Sequence, residues 1–111
     1  MYFPIAKVSS VFAAINVVAA NLHDNCHCRN GDSAYDRITT LACEAYNAAG
    51  YEWGGTTYNA DTGSCVKATS EDKIAGKEWE AACRQIATSG FACADGEGTC
   101  YANSDDVRGD C

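Results

Sequence analysis

Eight cysteines, all lying between Cys26 and Cys111, constrain this chain of 111 residues more than any other feature. A chain this short buries too little apolar surface to be comfortably stable, and cross-links worth roughly 2–4 kcal/mol each would supply much of the margin. Such a density in a small sequence marks a disulfide scaffold made in an oxidising compartment, with Cys26, Cys28, Cys43, Cys65, Cys83, Cys93, Cys100 and Cys111 as its bridge residues. The count is even, so no free thiol is required, but the connectivity stays open.

The N-terminal segment agrees with that compartment. Lys7 precedes an apolar run from Val8 to Val18, which ends in the small residues Ala19 and Ala20. The run is shorter than the roughly 20 residues a spanning helix needs, and it is interrupted by Ser9, Ser10 and Asn16. It reads as a signal peptide over residues 1–20, leaving a single secreted, extracellular domain of residues 21–111 that begins at Asn21. The formal net charge of −7 and the pI near 4.5 argue against nucleic acid and anionic membranes as partners, because both recruit Lys and Arg. A monomer is expected.

Along the mature chain, residues 24–29 alternate with strand period, so Cys26 and Cys28 share one face and His27 takes the other. Two cysteines so placed cannot bridge each other. Asn30-Gly31-Asp32 is a turn. Asp32 or Ser33 can then cap a helix over Ser33–Ala49, with Ala34, Ile38, Leu41, Ala42 and Ala45 at helical spacing and Gly50 as its stop. Residues 56–59 and 65–68 read as a hairpin across Asp61-Thr62-Gly63. A second helix is expected over Asp72–Ser89, burying Trp79, Ala82, Cys83 and Ile86, with Gly76 weakening its first turn. Residues 91–93 form a last strand before an acidic tail. The order is βαββαβ, an α+β ferredoxin-like sandwich: a four-stranded antiparallel sheet with two helices on one face. In that sheet Cys65 and Cys93 would be separated by the first strand, roughly 9–10 Å apart, beyond disulfide reach.

Cys26-His27-Cys28 in the first strand, Cys43 in the first helix, Tyr58 to Cys65 across the hairpin, Ile74 to Cys83 in the second helix and Cys93 in the last strand carry a resemblance. The chain resembles the alpha chain of the smut-fungus killer toxin called killer protein six, together with the small secreted cysteine-rich effectors that share its fold. The resemblance spans most of the mature chain and rests on six cysteines in the same order on the same elements. It implies two helices on a four-stranded antiparallel sheet, four disulfides, a secreted fungal origin and no enzyme activity. Two features depart from the family pattern. There is no Lys-Arg processing site, and Cys100 and Cys111 follow the last strand instead of preceding the first. The expectation is a virulence factor that binds a host extracellular protein or cell-wall polymer. The alternative is an antimicrobial or killer toxin, which the acidic chain disfavours for want of a basic amphipathic surface.

Candidate sites are few. His23, His27, Cys26 and Cys28 crowd together as zinc ligands would, but secretion favours disulfides. With Asn21 as first residue, its amine, two amide nitrogens and the His23 imidazole make a square-planar set suited to Cu(II) or Ni(II). Arg108-Gly109-Asp110 before Cys111 resembles an integrin-binding tripeptide. Tyr51, Trp53 and Tyr58 could form an aromatic platform for a binding partner such as a sugar. No acid, base and nucleophile assemble into a catalytic set, and no cofactor is expected. The surface expected to act is the sheet face away from the helices, with residues 51–61 and the acidic tail around it.

Overall fold

The computed structural model describes residues 22–111; the expected signal segment and Asn21 lie outside the described residues. In chain order the elements are β1 (Leu22–His23), β2 (Asn25–Asn30), β3 (Ser33–Ala34), α1 (Asp36–Ala48), β4 (Thr56–Asn59), β5 (Ser64–Lys67), β6 (Ile74–Ala75), α2 (Gly76–Ser89), β7 (Phe91–Ala92), β8 (Thr99–Cys100), a short 3-10 turn (Ser104–Asp106) and β9 (Val107–Asp110). Among the described residues the fold is mixed α+β, with two helices, antiparallel strand pairs and four disulfides.

The main sheet has five strands. β5 lies between β2 and β4, β9 pairs along β2 on its other side, and β3 folds back on the end of β2. The strand expected at residues 91–93 is not part of it. Phe91 and Ala92 instead pair with Thr99 and Cys100 in a separate small hairpin, and β9, expected to be acidic tail, takes the place beside β2. Phe91 is buried and meets Tyr35 edge-on, so it closes one end of the core, whereas Val107 is fully buried within the sheet. Cys100 and Cys111 accordingly belong to or adjoin strands, not a tail.

Both helices start later than the sequence pattern predicts. Asn30 pairs with Ser33 across the two-residue turn Gly31-Asp32, and Tyr35 N–H continues the hairpin to the Cys28 carbonyl at 2.9 Å. Ser33 and Ala34 are therefore strand, and α1 begins at Asp36 without a side-chain cap. It ends before Gly50, whose φ of 67° is the left-handed conformation that suits glycine after a helix. Asp72 spends its carboxylate on the Thr69 N–H (3.0 Å), so it closes a turn and caps no helix. Ile74 and Ala75 then pair with His23 and Leu22, and α2 begins at Gly76. The buried stripe of α2 is Trp79, Ala82, Cys83 and Ala87, with Ile86 half-buried at its margin.

The helices pack side by side and each is bolted to the sheet. Cys43–Cys65 ties α1 to β5, and Cys28–Cys83 ties β2 to α2. Cys26–Cys111 joins β2 to the end of β9, and Cys93–Cys100 closes the β7–β8 hairpin. Cys26 and Cys28 are not bonded to each other, nor Cys65 to Cys93, although Cys93 lies outside the sheet from which its separation was reckoned. Polar contacts reinforce the bolts. The Cys28 N–H donates to Thr39 Oγ1 on α1 (2.9 Å), Thr56 Oγ1 donates to the Cys43 carbonyl (3.0 Å), and the Trp79 indole donates to the His27 carbonyl (3.0 Å). The core beneath is Trp79, Tyr46, Ile38, Ile74 and Val107 set among buried cystines. An aromatic or aliphatic side chain fully buried there contributes about 1.5–3 kcal/mol, and there are few of them, which leaves the disulfides a large share of the stability.

Candidate binding surface

The strand register decides which side chains are free. Residues directly opposite on antiparallel strands share a face, and Cys26, Cys28 and Cys65 are all fully buried and point inward. Their neighbours Asn25, His27 and Arg29 on β2 therefore point outward. So do Val66 on β5, Thr57 on β4, and Arg108 and Asp110 on β9, which lie opposite those residues or continue the alternation. This outer face is polar and half to fully exposed, with Val66 its one apolar side chain.

Its charges interlock. Asp110 faces His27 across the ladder, with Oδ2 at 3.3 Å from His27 Nε2 and 3.4 Å from Arg29 Nη1. Arg29 also donates to the Asp32 carbonyl (2.8 Å), pinning the β2–β3 turn, and Arg108 donates to the Asp105 carbonyl (2.7 Å), pinning the turn before β9. Arg29 and Arg108 stand directly opposite each other. Like charges so placed repel, and each guanidinium is drawn off to its own turn.

The Arg108-Gly109-Asp110 tripeptide is thus strand, not displayed loop. Gly109 lies against α2 so closely that a Cβ there would meet Trp79 Cδ1 at 2.8 Å and Glu80 at 3.0 Å, and only glycine fits. Asp110 is held by His27 and Arg29, and the next residue is bridged to Cys26.

The three aromatics divide into two places. Tyr51 and Trp53 stack with centroids 5.0 Å apart and planes within 8°, and Tyr46 lies 4.9 Å from Tyr51. Trp53 Nε1 donates to the Tyr46 hydroxyl at 2.6 Å, so this pair is half-buried and packed on the core. Burial holds the Tyr46 hydroxyl above the usual phenol range, its hydrogen bonds from Ala75 and Trp53 partly offsetting this. Tyr58 sits apart on β4, where it lines a cleft of about 290 Å³ with Cys43, Glu44, Asn47, Thr56 and Thr57. Among the described residues no ring pairing joins Tyr58 to the other two. Sequence reasoning missed the cleft because Glu44 and Asn47, on the edge of α1 away from its buried stripe, read as an ordinary solvated face.

Of the metal candidates, Cys26 and Cys28 are disulfide-bonded, which removes them as thiolate ligands. His23 lies in β1 opposite Ile74. No group of three or more His, Cys, Asp or Glu side chains among the described residues could hold a metal ion, and no helix there is long and apolar enough to cross a membrane. Asp24 accepts from Lys73 (2.6 Å) and sits 3.2 Å from Lys67; those two hydrogen-bonded cations hold its carboxyl below the usual range. What fold and surface define together is a small α+β protein whose helices are cross-linked to one side of the sheet. Compared with models of known families, with curated proteins and with solved structures, the chain matches none.

Proposed function

We propose that this chain is a secreted fungal cysteine-rich effector, with a killer-toxin-like ferredoxin fold, that acts outside the cell by binding a host protein or wall polymer. In this reading β9 is the fourth strand of a β9-β2-β5-β4 sheet, and the β7–β8 hairpin is an insertion before it. The observation that carries the reading is the division of labour in the molecule. The disulfides and buried side chains bolt the helices to one side of the sheet, while the other side offers a polar, hydrogen-bonding surface around Thr57, Asn25, His27, Arg29 and Asp110. A rigid polar sheet face suits recognition of a partner, and the chain is proposed to be a binding protein without catalysis. Its acidity favours the host-facing role over attack on anionic membranes.

The test is capture from host extracellular fluid and from isolated wall polymer by the oxidised, secreted protein. Binding is expected to fall at least tenfold in the double variant Asn25→Lys, Thr57→Lys, which changes two exposed positions of the outer face, with the circular dichroism spectrum unchanged and the mass still showing all four disulfides formed. Capture that survives this double change, or turnover of a purified glycan or peptide lost with it, overturns the reading.

A further inference from the structure

The two outer edges of the sheet are finished differently. At β9 the outward backbone groups end on α2: the Gly109 N–H donates to Glu80 Oε2 and Arg84 Nε donates to the Val107 carbonyl, both at 3.0 Å. Glu80 and Arg84 also face each other one helical turn apart, at 3.8 Å. That edge is covered. A strand edge left open is a template for another strand, and proteins usually blunt it with Lys, Pro, a bulge or a covering element.

Among the described residues β4 has none of these along Thr56–Asn59. The Ala68 N–H donates to the Gly55 carbonyl (3.0 Å), and hydrogen-bonded pairs recur every second residue of an antiparallel ladder. Thr57 and Asn59 therefore spend their backbone groups on β5, while Thr56 and Tyr58 direct theirs away from the sheet. Asn47 Oδ1 takes the Thr56 N–H at 3.0 Å. The N–H and C=O of Tyr58 have no partner among the described residues. The cleft between β4 and α1 runs alongside, with exposed Glu44 on its wall and no ion pair to it among the described residues.

We propose that β4 is a docking edge for an extended, cationic segment of a partner protein, which adds to the sheet as a strand beside Tyr58 and sets a Lys or Arg side chain over Glu44. This rests on the reading of the chain as a protein that binds a partner. A matched N–H and C=O on one residue selects a peptide backbone in extended form, and the cleft takes the alternate side chains that such a strand turns toward the helix. Charge selects the partner: Glu44 and a formal net charge of −7 attract a cationic strand and repel a second copy of this chain.

The experiment titrates the oxidised, secreted protein with an acetylated, amidated nonapeptide of alternating threonine and lysine, read by backbone amide NMR and hydrogen exchange. Exchange of the Tyr58 amide is expected to slow at least tenfold at saturation. N-methylation of alternate peptide amides should abolish binding, and glutamate in place of lysine should weaken it about tenfold. Glu44→Lys lies on an exposed helix position and should reverse that preference. Tyr58→Pro deletes the outward N–H while leaving the β5 ladder intact, and should remove binding; if it does not fold, Glu44→Lys and the N-methylated peptide still decide the matter. Binding with Tyr58 exchange unchanged, equal affinity for the glutamate peptide, no binding, or a dimer in sedimentation that Tyr58→Pro dissolves each overturns the proposal. If the peptide fails while capture from host fluid persists and is lost in Asn25→Lys, Thr57→Lys, the docking edge falls and the outer-face reading stands. If the peptide binds as expected while capture does not depend on those two positions, the outer face falls and the edge stands.

Discussion

Tyr46→Phe isolates one polar linchpin of the core. The Tyr46 ring is 2 % exposed and packs against Tyr51 and Trp79, contacts that phenylalanine keeps. Its hydroxyl accepts from the Ala75 N–H (2.8 Å) and from Trp53 Nε1 (2.6 Å), joining α1 to the β6–α2 junction and to the connection before β4. Ala75 is 1 % exposed, so its N–H would be orphaned at a cost of about 1–3 kcal/mol, while the half-buried Trp53 indole regains water and loses about 0.5–1 kcal/mol. The expected loss is about 2–3 kcal/mol, read by urea denaturation of the oxidised protein with Trp53 and Trp79 fluorescence as the probe. Tyr51→Phe is the control: no hydrogen bond to the Tyr51 hydroxyl is present among the described residues, and its cost should stay within about 0.5 kcal/mol. A Tyr46→Phe loss below that figure, or a Tyr51→Phe loss as large, would refute the reasoning. The pH dependence is a second readout. Burial raises the folded pKa of Tyr46 above the ordinary phenol value of about 10, so the unfolded chain ionises first. The contribution is whole below about pH 10 and is lost as pH rises from there through the folded value. Tyr46→Phe should flatten that alkaline decline.

The disulfides should differ in worth. Removing Cys93–Cys100, whose cysteines are 7 apart in sequence, is expected to cost about 2.5 kcal/mol, whereas removing Cys28–Cys83, separated by 55, should cost about 4 kcal/mol on loop entropy, as compared by denaturation of the paired Cys→Ser variants. Asp24 titrates below its ordinary range because Lys73 and Lys67 hold its charged form, so its contribution is present above about pH 4 and disappears as pH falls through the lowered folded value. Asp24→Asn should remove that component from the acid stability profile and leave the alkaline limb unchanged. If processing leaves Asn21 first, Cu(II) should bind at that end and His23→Ala should abolish binding. Intact mass of the secreted protein checks the condition, and isothermal titration with the metal checks the consequence.

How much of this was legible in the sequence depends on how local each determinant is. The β4–β5 hairpin, the inward set of Cys26 and Cys28 and the buried stripe of Trp79, Ala82 and Cys83 follow from period and turn chemistry, and they are found within a residue or so of the expected positions. The helix starts were misplaced because two local signals competed. Asn30-Gly31-Asp32 could end a strand before a cap or close a two-residue hairpin, and pairing of Ser33 and Ala34 with β2 decided it. Val107 to Asp110 read as tail since it holds a single apolar residue. Its strand character comes from partners far away in sequence: Gly109 fits under Trp79, and Asp110 meets His27 and Arg29. The open edge of β4 could not be read at all, because it depends on which backbone groups β5 leaves unused.

The swap of β9 for the 91–93 strand also changes what the molecule can present. Had Phe91 to Cys93 formed the edge, residues 94–111 would have been free to display Arg108-Gly109-Asp110 on a loop. As it is, β9 is held along its length by β2 on one side and by Glu80 and Arg84 on the other, and Cys26–Cys111 fastens its end. Substitutions there must disturb the ladder, the helix or the bridge. On β4 the constraint is one-sided: Thr56 and Tyr58 face the helix and are bound to packing, whereas the Thr57 side chain and the outward backbone of Tyr58 hold nothing else in place among the described residues. Surface chemistry can therefore change at Thr57 and Glu44 with little cost to folding, which is the freedom a recognition surface needs and a stapled strand such as β9 lacks.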